Sequence, residues 1–281
     1  MKNILVTGGA GFIGSNLIKG LLQKNEYSIT SLDCYLTGSK LNHHSGVNYL
    51  EGHTSDIDKI FKNEKFDIIF HFGEYSRIVY SFEDIKFVSD SILVGTPRVF
   101  EFARKINAKI IYSASSSKFG NNGNDENLSP YSWMKAKMVE LLKNYSNWFN
   151  LKYEICYFFN VYGPNQIYEG KYATVIAIFE KQFKNNEKLT VVKPGTQTRD
   201  FTHVNDIING VIKTLDLNAN HEWHLRSGKN ISIIDVANQF GGEWKFIDER
   251  RGERFTSEEF PSDTNEKLDW LNGLPLDVKE D

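Results

Sequence analysis

The chain has 281 residues, 40% apolar and 14% aromatic, enough to fill one large α/β domain with a modest second lobe. A formal charge of -3 gives no electrostatic ground for a nucleic-acid or anionic-membrane partner, so any nucleotide has to be held by local charges. The two cysteines, Cys34 and Cys156, form neither a metal site nor a disulfide framework and suit a reducing cytoplasm.

In chain order, Ile4, Leu5 and Val6 supply a buried parallel strand at 3–7, which runs into glycines at 8, 11 and 14 and then a helix over 14–24. Gly8 permits a tight turn, Gly11 lets the backbone approach a phosphate, and Gly14 allows the helix to pack close to the strand. The free N–H groups at that helix start face an anion, which predicts a dinucleotide site. Nineteen residues after Gly14, the strand at 28–33 ends in Asp33, placed to accept hydrogen bonds from ribose hydroxyls and to repel a 2′-phosphate. Because Cys34, Tyr35 and Leu36 follow, with no arginine, NAD is expected rather than NADP.

Further strands are predicted at 47–51, 67–72, 108–114 and 153–159, with helices at 84–105 and 131–149. His43 and His44 lack a third ligand nearby, so no metal is expected. After Gly163-Pro164 the pattern changes to a helix at 172–184, a strand at 189–192 and shorter elements from 222. The alternation predicts an α/β fold, a Rossmann-type doubly wound parallel sheet with a smaller C-terminal substrate-binding lobe. Residues 1–163 with about 200–226 are assigned to the NAD-binding domain, and 164–199 with 227–281 to the small lobe. No stretch of eighteen apolar residues suggests a membrane span, and a first strand beginning at the N-terminus leaves no room for a signal peptide. A cytoplasmic location is expected.

Tyr131 and Lys135 lie four residues apart, on one face of a predicted helix, where an ammonium favours the phenolate and makes a general base. The run Ser113-Ala-Ser-Ser-Ser117 closes the fifth strand, so Ser115 can donate a hydrogen bond to the oxygen that Tyr131 deprotonates. A nicotinamide beside these three residues is suited to hydride transfer at a secondary alcohol.

With these motifs the chain resembles the extended short-chain dehydrogenase/reductase family, and within it the NAD-dependent nucleotide-sugar epimerases and dehydratases. The likeness is carried by Thr7-Gly-Gly-Ala-Gly-Phe-Ile-Gly14, Phe66 to Gly73, Ser115, Tyr131 and Lys135, Asn160-Val-Tyr-Gly-Pro164, Arg199-Asp-Phe-Thr-His-Val204 and Arg250-Arg-Gly-Glu253. It implies that Phe12, Ile13, Phe72, Gly73 and Phe159 join Gly8, Gly11, Gly14, Asp33, Tyr131 and Lys135 around the cofactor. It also implies that Ser76, Ser116, Asn160, Arg199 and Arg250 hold a nucleotide-diphosphate sugar, the two arginines clamping its phosphates. The helices at 84–105 and 131–149 would pair with a partner's copies in a homodimer, for which Val88, Ile92, Val99, Met138, Leu141 and Leu142 offer an apolar face, though burial within one subunit accounts for them equally.

Five departures from the family pattern stand out. Ser116 and Ser117 stand where dehydratases of the family carry Asp-Glu, so loss of water lacks its acid and base. His53 replaces an aspartate, Glu74 a small residue beside the cofactor, and Tyr157 an arginine, while the segment from Gly120 to Tyr131 is short. The expected activity is therefore 4-epimerisation through a transient 4-keto sugar. The alternatives are a nucleotide-sugar 4-dehydrogenase or ketoreductase that stops after one transfer, and a dinucleotide-binding protein without turnover.

Overall fold

The computed structural model describes residues 1–119, 125–218 and 220–256. Its central sheet contains Lys2–Thr7 (β1), Tyr27–Asp33 (β2), Val47–Glu51 (β3), Ile68–His71 (β4), Lys109–Ser115 (β5) and Tyr153–Phe158 (β6). These lie in the order 3-2-1-4-5-6, all parallel, and His221–Leu225 adds a seventh parallel strand beside β6. The predicted strands are present within a residue or two of the expected limits.

Because helices cover both faces, the strands are apolar on both sides. In β1, Ile4 and Val6 pack with Leu17, Leu21, Ile207 and Val211 of the helices Phe12–Leu22 and Val204–Lys213. Leu5 points to the opposite face and joins Ile69, Val99 and Leu142, beneath the helices Thr96–Ile106 and Pro130–Phe149. The residues offered as a dimer face thus have a different use: Val88, Ile92, Val99, Met138 and Leu142 are buried in this same core, and Leu141 packs against it. Helical spacing reads identically for a core face and a partner face. The large apolar side chains that the two helical regions leave exposed are Ile85, Phe87, Val94, Trp133, Trp148 and Phe149.

The helix expected at 84–105 is divided. Ile85–Ser89 is α-helical, Asp90–Gly95 is a π-helical segment, and Thr96–Ile106 is α-helical again. At Gly95 the backbone passes so close to Thr54 that a Cβ would lie 2.3 Å from its Oγ1. The apolar period of the flanking turns carries no sign of this interruption.

Beyond β6 the elements are short. Asn160–Tyr162, Thr198–His203 and Asn230–Ser232 form a three-stranded sheet, and Leu189–Val192 pairs in parallel with Trp244–Ile247. Phe179, Val191, Val236 and Phe240 are buried together beneath them. The helix expected at 172–184 starts at Val175, and Gly170–Tyr172 is a separate 3-10 turn. Among the described residues no helix is long and apolar enough to cross a membrane.

Strand order reverses between β1 and β4, opening a crevice at their carboxyl ends. This is where doubly wound sheets bind ligands. Of the sequence departures, the short segment after Gly120 lies partly outside the described residues, as do residues 257–281 of the assigned small lobe.

Candidate active site

A single cleft of about 490 Å³ lies over the carboxyl ends of β1, β4, β5 and β6. It is lined by Gly8, Gly11, Phe12, Ile13, Gly14, Asp33, Phe72, Gly73, Phe159, Ser115, Tyr131 and Lys135, and by Ser76, Ser116, Asn160, Arg199 and Arg250. Every residue that the sequence assigned to catalysis, cofactor or substrate therefore borders one space.

Its floor is a close contact between two turns. Gly8, at φ +73°, lies so near Gly73 that a Cβ on it would come 2.8 Å from the Gly73 Cα and N. A Cβ on Gly14 would meet the Gly8 carbonyl oxygen at 2.1 Å. Side chains are excluded here, which leaves backbone exposed to a phosphate. At the far end the Asp33 carboxylate accepts from the Ala10 N–H at 2.9 Å and the Tyr35 N–H at 2.8 Å. Burial raises its pKa and these backbone donors oppose the rise. A Cβ on Gly38 would approach Asp33 Oδ1 to 2.8 Å, so the opposing wall has also been kept bare. The cradle and the acid at its end fit a dinucleotide.

Between that floor and the catalytic helix runs a buried chain of polar groups. The Gly73 N–H donates to Thr7 Oγ1 at 3.0 Å, and Thr7 Oγ1 lies 2.8 Å from His71 Nδ1. On the other side of the ring, His71 Nε2 is 2.9 Å from Thr96 Oγ1, which itself donates to Glu74 Oε1 at 2.5 Å. Since the Thr96 proton goes to Glu74, His71 Nε2 must carry hydrogen, and its Nδ1 then accepts from Thr7. Burial holds the His71 pKa down at about 4, so the ring is neutral. Glu74 also accepts from the Tyr112 hydroxyl at 3.1 Å, and its other oxygen pairs with the Lys135 ammonium.

This pairing gives Lys135 a counter-charge that the sequence reading did not place beside it. The ammonium donates to Glu74 and to the Ser113 carbonyl, and burial pulls its pKa down while Glu74 opposes that. The Tyr131 phenol is pushed up to about 12, first by burial and further by the Glu74 charge. Ser115, within hydrogen-bonding reach, and the Arg77 guanidinium both pull the other way. The Lys135 ammonium is thus paired with Glu74, which the sequence treated only as an unread departure. Ser115 caps the turn Ser116–Lys118 by accepting the Ser117 N–H at 3.2 Å, and it donates to Ser117 Oγ at 3.0 Å.

The expected sugar-phosphate ligands are less uniform. Arg199 is buried and ion-paired with Glu253, whereas Arg250 is exposed at the rim of the cleft. Arg254, passed over in the Arg-Arg-Gly-Glu run, is the arginine turned inward, donating to the Ser116 carbonyl at 2.8 Å. Asn160 donates to the Asp200 carbonyl at 3.2 Å. Ser76 is exposed and takes a 3.3 Å hydrogen bond from Arg77, a residue that no sequence pattern marked. Tyr157 donates to Glu222 at 2.6 Å, and His53 caps the following turn through Ser55. His43 stacks on Tyr49 with ring centroids 3.7 Å apart, and His44 contacts the Ser15 carbonyl. Among the described residues no group of three or more His, Cys, Asp or Glu side chains is placed to hold a metal.

Comparison with known proteins decides the family. The family model described as the NAD dependent epimerase/dehydratase family matches residues 4–225. The chain belongs to that family. It is thus an enzyme with NAD as its cofactor. A putative UDP-glucose 4-epimerase of Methanocaldococcus jannaschii is 30% identical over 245 residues, covering 83% of this chain and 79% of the relative. UDP-glucuronic acid decarboxylase 6 of Arabidopsis thaliana is 31% identical over 251 residues, 83% of this chain and 72% of its own. Among solved structures, the UDP-N-acetylglucosamine 4-epimerase from Methanobrevibacter ruminantium M1 in complex with UDP-N-acetylmuramic acid superposes with a TM-score of 0.85. It is 27% identical, covering 93% of this chain and 90% of that one.

For this family member, Asp33→Ala is expected to weaken NAD binding by about 1.5–3 kcal/mol, the worth of a charge-assisted hydrogen bond. Titration of NAD and NADP into both proteins checks it. Unchanged NAD affinity in the variant, or a wild-type preference for NADP, would contradict the assignment.

Proposed function

We propose that the protein is a nucleotide-sugar 4-epimerase acting through a transient 4-keto sugar, a cytoplasmic homodimer whose substrate is a nucleotide-diphosphate sugar. The observation that carries this reading is the pairing of Ser115 with Tyr131 in a cleft that has no free carboxylate beside them. Among the described residues, the carboxylates lining the cleft are Asp33, Glu74 and Glu253. Asp33 lies at the far end of the cradle, Glu74 is bound by Thr96, Tyr112 and Lys135, and Glu253 is paired with Arg199. Ser116 and Ser117 are buried hydroxyls. Elimination of water needs an acid and a base besides the group that serves the C4 hydroxyl, and among the described residues no free carboxylate of the cleft is left for that work.

In this reading Gly8, Gly11, Phe12, Ile13, Gly14, Asp33, Phe72, Gly73, Phe159 and Lys135 hold NAD, with the second lobe supplying Arg199 and Arg250 to the diphosphate. NAD, when bound, supplies the acceptor and donor of hydride. Tyr131 takes the proton of the C4 hydroxyl and later returns it, and Ser115 donates a hydrogen bond to the same oxygen, polarising the ketone. Both residues act at one oxygen, so either face of a rotated ketosugar can be served.

The test is to incubate purified protein and NAD with a panel of nucleotide sugars, following NADH absorbance and the sugar products. A C4 epimer without net NADH is expected. Stoichiometric NADH would make the enzyme a dehydrogenase instead, and a 4-keto-6-deoxy product would overturn the argument from Ser116 and Ser117.

A further inference from the structure

We propose that His53 presents a hydrogen-bond donor to the base of the bound dinucleotide, so that the cofactor site prefers a 6-oxopurine, as in nicotinamide hypoxanthine dinucleotide, to adenine. This rests on the placing of the NAD adenosine ribose at Asp33.

The order of the strands sets the order of the cofactor's parts. Ser115 closes β5, the glycine cradle follows β1, and Asp33 closes β2. A dinucleotide with its nicotinamide beside Tyr131 and Ser115 and its ribose at Asp33 therefore has only its base left to place. One strand lies beyond β2, and it is β3, at the edge of the sheet. Asp33 pairs in register with Glu51, the last residue of β3, and the Gly52 N–H donates to the Asp33 carbonyl at 2.9 Å. Two residues past that pairing, half-buried His53 borders the cleft together with Gly52 and Thr54. Neighbouring strands are about 4.8 Å apart, so a base joined to a ribose at Asp33 extends over this turn. The purine edge formed by N1 and C6 is opposite the glycosidic bond, which makes it the edge turned to His53.

The turn also fixes which ring nitrogen of His53 carries hydrogen. The Ser55 backbone N–H donates to Nδ1 at 3.2 Å, capping the 3-10 turn Thr54–Asp56, and Ser55 Oγ is 2.8 Å from the same nitrogen. A backbone hydrogen cannot turn away and a hydroxyl can, so Nδ1 accepts and the ring hydrogen is on Nε2. Among the described residues Nε2 makes no hydrogen bond. What His53 offers the cleft is a donor. Adenine has an amino group at C6, itself a donor, whereas hypoxanthine has a carbonyl oxygen there, which accepts. Among the described residues the one carboxylate lining this end is Asp33, which already accepts from Ala10 and Tyr35 and is assigned to the ribose.

Calorimetric titration of the full chain with NAD and with nicotinamide hypoxanthine dinucleotide reads the preference directly, in the wild type, His53→Ala and His53→Asp. The wild type is expected to bind the hypoxanthine form about 2- to 10-fold more tightly, the range of one neutral hydrogen bond, and His53→Ala to bind both alike. An aspartate caps the same turn and puts an acceptor in place of the donor, so His53→Asp is expected to favour NAD by about 10- to 100-fold. Melting curves check that each variant folds. A wild type that binds NAD as tightly as the hypoxanthine form, or more tightly, would overturn the proposal, as would a preference that survives in His53→Ala. Asp33→Ala, titrated beside them, separates the two levels. Loss of affinity for both dinucleotides with no effect of position 53 leaves the ribose at Asp33 and sinks the role of His53, whereas unchanged affinity for both sinks the placing and the proposal together.

Discussion

Tyr131→Phe is expected to lower turnover of any nucleotide sugar by about 10²–10⁴-fold, the range for removal of a general acid/base. The ring is buried, 8% exposed, at the start of the helix Pro130–Phe149, so the substitution deletes one oxygen and leaves the packing intact. Melting temperature and NAD affinity should be unchanged. Lys135→Met is expected to differ from it by weakening NAD as well, since in the resembling family this lysine also holds the nicotinamide ribose. A Tyr131→Phe enzyme running at the wild-type rate would remove the proposed chemistry altogether.

Glu74→Ala should be the most destabilising change at the site. It strands the Lys135 ammonium in the interior and takes the acceptor from Thr96 and Tyr112. Breaking a buried ion pair from one side costs about 3–5 kcal/mol, whereas removing both charges is often neutral. The double variant Glu74→Ala/Lys135→Met is therefore expected to unfold at higher denaturant than Glu74→Ala alone. A gentler substitution, Glu74→Gln, reads out the electrostatics. The Glu74 charge raises the Tyr131 pKa, so neutralising it stabilises the phenolate and lowers that pKa. Because the phenolate is the base, the rise of kcat with pH should move to lower pH in Glu74→Gln. A pH profile that stays in place, or moves upward, would show that Glu74 does not govern the phenol.

The scaffold of this site was legible because its signals are local. Ile4, Leu5 and Val6, the glycines after them and Asp33 each answer to a requirement within a few residues, and the structure puts the three apolar residues in the core and Gly8, Gly11, Gly14 and Asp33 on one cleft. The electrostatics were not legible, since they depend on partners far apart in sequence. Tyr131 and Lys135 were correctly put on one helix, but the charge that decides how the lysine acts comes from Glu74, sixty-one positions earlier. Arg77 and Arg254 escaped for the same reason. Arg77 lies in an unpatterned stretch and Arg254 just after the quoted arginine run, and the significance of each lies in contacts with Tyr172 and Ser116 across the fold. A dimer face and a core face were left as equal alternatives for Val88, Ile92, Val99, Met138, Leu141 and Leu142, because period and apolarity do not say whether the covering surface belongs to the same chain; the structure packs them in the core.

The π-helical segment Asp90–Gly95 ties together two features that look unrelated. Deleting one residue there would restore a regular α-helix and turn Thr96 by about 100° relative to the preceding turns. The hydroxyl that joins His71 to Glu74 would swing away, and a buried acid would lose its shortest neutral donor. The surplus residue in the helix and the acid at position 74 are therefore coupled through one hydroxyl: losing the first removes a donor that the second relies on.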